Sequence, residues 1–310
     1  MQNIVIGTRG SQLARWQANW AKTNLEHHHP GLTVEIRIIT TRGDRIQDVA
    51  LPKLGEQGKG LFTKELEDEM LAGHIDIAVH SLKDLPTEIT GGLHIAAISE
   101  REDVRDALVA GPGVKSLEDL KPGARVGTSS LRRVSQIRGL RQDLILDPVR
   151  GNVDTRIAKV DQGVFDAIIL ASAGLRRLGR ADRISQYLDI GVLLPAVGQG
   201  ALGIQARIGD GHVNQLARSL NDEPTRVACL AEREFLRALG GGCLVPIAAH
   251  ATVRTEGITI SGLVASVDGR EIIRGIHSGP SEHPEQAGAA LASDLLRQGA
   301  DRLLAQTATS

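Results

Sequence analysis

Short apolar runs and longer stretches of 3.6-residue period alternate along the first 200 positions. Ile4-Val5-Ile6 is a β-branched strand run, and Thr8-Arg9-Gly10-Ser11 follows it as a turn. From Gln12 to about Leu25, the positions Leu13, Trp16, Ala18 and Trp20 contribute apolar surface and predict a helix. Thr33–Ile39 reads as a strand, Leu61–Leu71 as a helix, and Ile75–Val79 as a strand with alternating apolar positions. The pattern restarts with a strand at Ala124–Thr128, a helix from near Ser130 and a strand around Leu144–Leu146. A helix over Asp154–Gln162 and a buried strand at Phe165–Leu170 complete the second series. Such alternation predicts an α/β architecture with mainly parallel sheets. Two series, broken near Ser99–Asp106, predict two similar lobes with a cleft between them.

The last hundred positions differ. Asn221-Asp222-Glu223-Pro224 supplies an N-cap and an early Pro for a helix running to about Leu239, which Gly240-Gly241-Gly242 ends. Strand-like runs follow at Ala248–Val253, Gly257–Ser266 and Arg270–His277, then one helix from about Pro284 to Leu304. Successive strands flanked by helices predict a small α+β domain.

Ligands of open α/β sheets bind beyond the carboxyl ends of the strands. The loops that matter are therefore Thr8–Ser11, His80–Pro86, Thr128–Arg133, Arg150–Arg156 and Ala171–Arg177. Charge singles out the same places. The chain carries a net −1, yet from Arg125 to Arg183 eleven Arg and one Lys face six Asp and no Glu, a local balance of +6. A GC-rich genome alone would give 28 Arg against 8 Lys, and scattered surface pairs would each count for little. Clustering at strand-end loops points instead to a polyanion, since guanidinium makes paired bonds to carboxylates. Aromatics are 2% of the 310 residues, too few for the stacking platforms of single-stranded nucleic acid.

Composition changes little else. No basic segment leads into an apolar run at the N-terminus, and no apolar stretch approaches the ~20 residues of a membrane span. Two cysteines make no disulfide framework, so a cytoplasmic location is expected. Cys229 sits among apolar residues of a helix and reads as a buried hydrophobe, whereas Cys243 follows a Gly triplet on a loop, where a thiol can act as nucleophile or attachment point. Asp84, before Leu85-Pro86, is either a turn-capping residue or a carboxylate that stabilises a developing cation. The run His27-His28-His29 reads as solvated loop whose side chains diverge, and no zinc spacing, Walker loop or G-x-G-x-x-G fingerprint occurs; no metal is expected.

Seven segments recur in a recognisable order: Gly7-Thr8-Arg9-Gly10-Ser11, Lys59-Gly60-Leu61-Phe62, His80–Pro86, Gly127–Arg133, Arg150–Arg156, Leu194–Gly200 and Gly241–Pro246. Together they resemble the porphobilinogen deaminase (hydroxymethylbilane synthase) family over essentially the whole length. The resemblance implies two periplasmic-binding-protein-like lobes with mixed sheets plus a smaller α+β C-terminal domain. It also implies the boundaries: domain 1 over residues 1–99 and 200–219, domain 2 over 100–199, domain 3 over 220–310. The implied reaction joins four porphobilinogen molecules with loss of ammonia into linear hydroxymethylbilane, on a dipyrromethane cofactor tethered by a thioether to Cys243. Asp84 matches the catalytic carboxylate. Arg9, Lys83, Arg132, Arg133, Arg150, Arg156 and Arg177 match the partners of cofactor and substrate carboxylates, with Ser81, Thr128 and Ser129 as hydrogen-bond donors. Lys59 and Phe62 lie on the implied active-site loop. A monomer without nucleic-acid or membrane partners is the corresponding expectation. The alternative, a non-catalytic two-lobed anion-binding protein, accounts for the Arg loops but gives Asp84 and Cys243 nothing to do.

Overall fold

The computed structural model describes residues 2–45, 63–241 and 245–308. The chain divides into two compact units, one from the N-terminal residues through Glu102 together with Gly200–Arg226, the other from Asp103–Gln199 together with the residues from Val227 onward.

The first unit is built on a five-stranded sheet in the order β2-β1-β3-β10-β4. Its strands are β1 (Gln2–Thr8), β2 (Leu32–Ile38), β3 (Ile77–Ser81), β4 (Leu93–Ile98) and β10 (Leu202–Arg207). β1 is parallel to β2 and β3, while β10 is antiparallel to both its neighbours, so the sheet is mixed. Helix α1 (Gln12–His28) starts where the Ser11 side chain accepts the Ala14 N–H, a cap that its short polar side chain can make. Its Ala18, Ala21 and Leu25 cover Ile4, Ile6, Val34, Ile77 and Val79 on one face. A short α2 (Arg42–Arg45) follows β2, and α3 (Lys64–Leu71) lays Leu66 and Met70 on Ile75 and Ala78 of the other face. Each fully buried Leu or Ile here contributes about 1.5–3 kcal/mol.

The second unit repeats this plan. Its sheet runs β7-β6-β8-β5-β9, from β5 (Asp106–Ala110), β6 (Arg125–Gly127), β7 (Ile145–Asp147), β8 (Ala167–Ala171) and β9 (Gln186–Leu188). β6 is parallel to β7 and β8, and β5 is antiparallel to β8 and β9, the same strand directions as in the first sheet. Helices α4 (Leu131–Leu140), α5 (Val153–Asp161) and α6 (Ser172–Arg177) follow β6, β7 and β8. Gly7 and Gly127 hold matching places: a Cβ on Gly7 would stand 2.2 Å from Ile75 Cδ1, and one on Gly127 2.9 Å from Ile168 Cγ2.

Helix α7 (Gly211–Ala217) belongs to the first unit, and α8 (Glu223–Ala238) leads to a three-stranded antiparallel sheet of β11 (Ile247–Arg254), β12 (Gly257–Ala265) and β13 (Ile272–Gly279). Phe235 of α8 is fully buried against it, fitting over Gly262, where a Cβ would come within 2.6 Å of the ring. The single helix expected over Pro284–Leu304 is two, α9 (Pro284–Arg297) and α10 (Ala300–Ala308), because Gly299 adopts φ +96° between them. The expectation of mainly parallel sheets is likewise corrected: an antiparallel strand in each five-stranded sheet joins segments far apart in sequence. Among the described residues, no helix is long and apolar enough to cross a membrane.

Candidate functional site

In the first unit β1, β3 and β4 end at one edge, and β10 enters there, so Arg9, Ser81, Lys83 and Asp84 all follow carboxyl ends of strands. Leu82–Asp84 forms a 3-10 turn. Its backbone is pinned by the Leu82 N–H donating to Ala201 O at 3.0 Å, and its side chains Leu82 and Leu85 are buried. Gly203 makes this seat possible, since a Cβ there would stand 2.8 Å from Leu85 Cδ1. Two buried leucines thus hold an exposed Asp84, whose carboxylate has no hydrogen-bond or ion-pair partner among the described residues. Lys83 and Arg9 are half-buried, and Ser81 Oγ accepts the Gln17 side-chain amide at 2.8 Å.

His80, in the central strand of this sheet, is buried. Burial pushes its imidazole down to about 4; the neighbouring Gln205 side chain acts in the opposite direction, and the Arg9 charge lowers it further. An unfolded chain protonates this histidine near 6.5. Between pH 6.5 and 4 the unfolded state therefore binds the extra proton, and stability rises with pH in that window by up to roughly 3 kcal/mol. Urea midpoints of the His80→Gln protein should show a flatter acid limb between those pH values; an unchanged limb would remove His80 as its source.

In the second unit the carboxyl ends of β6, β7 and β8 share an edge with the start of β5. Asp106 opens β5 there, fully buried, and receives four N–H groups: Arg132 Nη1 at 2.7 Å, Arg133 Nε at 3.1 Å and Nη2 at 2.7 Å, and Gln199 Nε2 at 3.0 Å. The guanidinium charges hold its carboxyl far below the usual carboxylate range against the cost of burial. Arg133 also donates Nη1 to Ile169 O, and Arg132 donates Nη1 to Leu194 O. Two buried cations face one buried anion, and Arg132 Nε is buried with no hydrogen-bond partner among the described residues. Excess positive charge with an unused donor fits a carboxylate-bearing group.

Around this cluster Ser129 Oγ both donates to Val149 O and accepts the Val149 N–H, and buried Thr128 Oγ1 accepts the Ser130 N–H. Arg156 is half-buried and donates Nε to Gly151 O at 2.8 Å; Arg150 and Arg177 are also half-buried. Lys59, Phe62 and Cys243 lie outside the described residues, while Cys229 is buried in α8 as expected. His27 and His28 are exposed as expected, but the run is not a loop: they close α1, and His29 bonds Ser219 Oγ at 3.1 Å. Among the described residues no group of three or more His, Cys, Asp or Glu could hold a metal ion. Sequence reasoning missed Asp106 and His80 as site residues. The available signal was a titratable group in an otherwise apolar strand.

Residues 4–215 match the family model "Porphobilinogen deaminase, dipyromethane cofactor binding domain", and residues 226–297 match "Porphobilinogen deaminase, C-terminal domain". The chain belongs to the porphobilinogen deaminase family. The porphobilinogen deaminase of Syntrophotalea carbinolica is 51% identical over 300 residues, covering 97% of this chain and 94% of the relative. That of Geobacter metallireducens is 52% identical over 305 residues, covering 98% and 95%. Among solved structures, the probable amino-acid ABC transporter extracellular-binding protein ytmK from Bacillus subtilis aligns at TM-score 0.40 and 10% identity, covering 71% of this chain and 89% of that one. Family membership makes the protein a transferase of tetrapyrrole synthesis with a dipyrromethane cofactor.

Proposed function

We propose that the chain joins four porphobilinogen molecules head to tail, releasing ammonia at each addition and then, as water cleaves the bond to the cofactor, linear hydroxymethylbilane, with Asp84 as the catalytic carboxylate and Cys243 as the thioether attachment of the dipyrromethane. The observation that carries the reading is an exposed Asp84 carboxylate, unengaged among the described residues, on a turn fixed by two buried leucines. A carboxylate so held is open to the substrate. It can accept a pyrrole N–H and stabilise the positive charge that grows on the ring as ammonia departs.

When bound, the dipyrromethane would supply the free pyrrole carbon to which the first unit is joined, each later unit joining the end of the chain so formed. Every pyrrole carries an acetate and a propionate, so the site must neutralise charge as the chain lengthens. Arg9 and Lys83 in the first unit, and Arg132, Arg133, Arg150, Arg156 and Arg177 in the second, are the cations for this task, with Ser81, Thr128 and Ser129 as donors. The buried Asp106 fits the reading as the anchor that orients Arg132 and Arg133 while leaving a net positive charge. Lys59 and Phe62 belong to the loop that covers the reacting pyrrole. Three domains at residues 1–99 with 200–219, 100–199 and 220–310, a monomeric state, a cytoplasmic location and no nucleic-acid partner complete the proposal.

Intact-mass spectrometry tests it most directly. The purified native protein should carry a covalent adduct of dipyrromethane mass that is absent from the Cys243→Ser protein, and that variant should be inactive. Active native protein at the bare-chain mass, or an adduct that survives Cys243→Ser, would overturn the attachment.

A further inference from the structure

The two five-stranded sheets align in register, and one layer in which they differ lies beneath the β3 end of the first. Gly7 pairs with Ala78 where Gly127 pairs with Ile168, and the Asp76 N–H bonds Val5 O where the Asp166 N–H bonds Arg125 O. An offset of 90 residues between β3 and β8 extends to the preceding helices, where the Gly73 N–H bonds Met70 O and the Gly163 N–H bonds Val160 O. His80 thus corresponds to Leu170, Glu67 to Ile157, and Gln205 (paired with Ala78) to Val109 (paired with Ile168). In the second unit, Leu170, Ile157 and Val109 belong to one buried apolar cluster. In the first, the same three places hold a buried polar chain.

That chain is specific. Thr90 Oγ1 donates to Glu67 Oε2 at 2.7 Å, and Gln205 Nε2 donates to Glu67 Oε1 at 2.8 Å. The Gln205 side chain neighbours His80, and both Gln205 Oε1 and His80 Nε2 are buried with no hydrogen-bond partner among the described residues. The second sheet shows that the fold fills this layer with aliphatic side chains, so an under-bonded polar chain is not what the architecture needs. It ends at the ligand edge: β1 and β3 are parallel neighbours up to the Gly7–Ala78 pair, Arg9 follows β1 and His80 lies two residues beyond Ala78, where the Arg9 charge acts on its ring. Glu67 stands at the other end of the chain.

We propose that His80 is a positioning residue: its imidazole, fixed through Gln205 and Glu67, sets the Arg9 guanidinium for capture of a porphobilinogen carboxylate. Burial keeps the ring neutral, so that Arg9 meets an uncharged neighbour and remains the cation offered to the ligand. The inference rests on the assignment of Arg9 to carboxylate binding under the proposed function, and the test separates the two.

The triple replacement Glu67→Ile, His80→Leu, Gln205→Val installs the second unit's apolar layer in the first. With the single variants His80→Leu and His80→Gln, it is compared with native protein by steady-state kinetics, by melting temperature, and by the masses of enzyme–intermediate complexes at a fixed porphobilinogen concentration. The expected result for His80→Leu, and for the triple replacement if it folds, is a KM for porphobilinogen raised about tenfold with kcat within threefold. Loading of intermediates should fall in parallel, and the melting temperature should not fall in the triple replacement. His80→Gln, which keeps a neutral acceptor for the guanidinium, should recover most of the KM. Arg9→Leu should raise KM by itself, and adding His80→Leu to it should change nothing further, because His80 acts through Arg9. If Arg9→Leu leaves KM and loading unchanged, the assignment of Arg9 fails and this inference with it. If Arg9→Leu raises KM but His80→Leu does not, or if the two effects multiply, Arg9 keeps its role and His80 is overturned as its positioning residue.

Discussion

Asp84→Asn should lower the rate of hydroxymethylbilane formation by about two to three orders of magnitude, the usual consequence of removing one preorganised electrostatic group from a reacting centre. The effect should be confined to chemistry. The turn is held by the buried Leu82 and Leu85 against the space left by Gly203. Asp84 is exposed, so its replacement should alter stability by no more than about 0.5 kcal/mol. Asn keeps the size of Asp and one acceptor oxygen, and exchanges the negative charge and the second acceptor for an amide donor; the deficit therefore measures the loss of a charged acceptor at the departing-ammonia step. Single-turnover mixing with porphobilinogen, followed by intact mass, should show the variant still carrying its cofactor while failing to advance. Product formation at the native rate, with an unchanged mass ladder, would end the catalytic assignment of Asp84.

The helices and strands with clear periods were readable from sequence because their signals are local. Helix α1 begins at Gln12 as its apolar spacing predicts, and β11, β12 and β13 fall within two residues of their predicted runs. What escaped was set by partners distant in sequence. β10 takes its place between β3 and β4 by pairing Gln205 with Ala78, and no periodicity near residue 205 announces that neighbour. The candidate site divided along the same line. Asp84 stood out as a carboxylate on a strand-end loop, and the Arg cluster as an excess of one charge. Asp106 did not, because its meaning comes from Arg132 and Arg133, more than twenty residues later, and from Gln199, which reaches it from the far end of the unit. His80 was legible only as part of a motif. Its contrast with Leu170 emerges when the two sheets are superposed by register.

Asp106→Ala should be the most destabilising single change in the second unit. It leaves two guanidinium groups, each more than nine-tenths buried, facing one another without their shared counterion. Breaking a buried pair from one side typically costs about 3–5 kcal/mol, most of it the uncompensated charge. At this chain length, that should lower the melting temperature by about 5–8 °C. Two companions distinguish charge from packing. Asp106→Asn keeps acceptors for some of the four N–H donors and should recover part of the loss. Asp106→Leu combined with Arg132→Met and Arg133→Met removes all three charges, and should be more stable than Asp106→Ala even though it abolishes the proposed carboxylate site. Acid behaviour follows with a definite sign. The folded carboxyl titrates well below the unfolded value near 3.9, so its contribution is fully present above that pH and is lost as the pH falls further. This window lies below the one assigned to His80, where stability already falls between pH 6.5 and 4. Native protein should therefore weaken in two stages on acidification, with Asp106→Asn lacking the lower and His80→Gln the upper. An Asp106→Ala protein melting within 2 °C of native would mean that Arg132 and Arg133 find other anions and that the anchor is not Asp106.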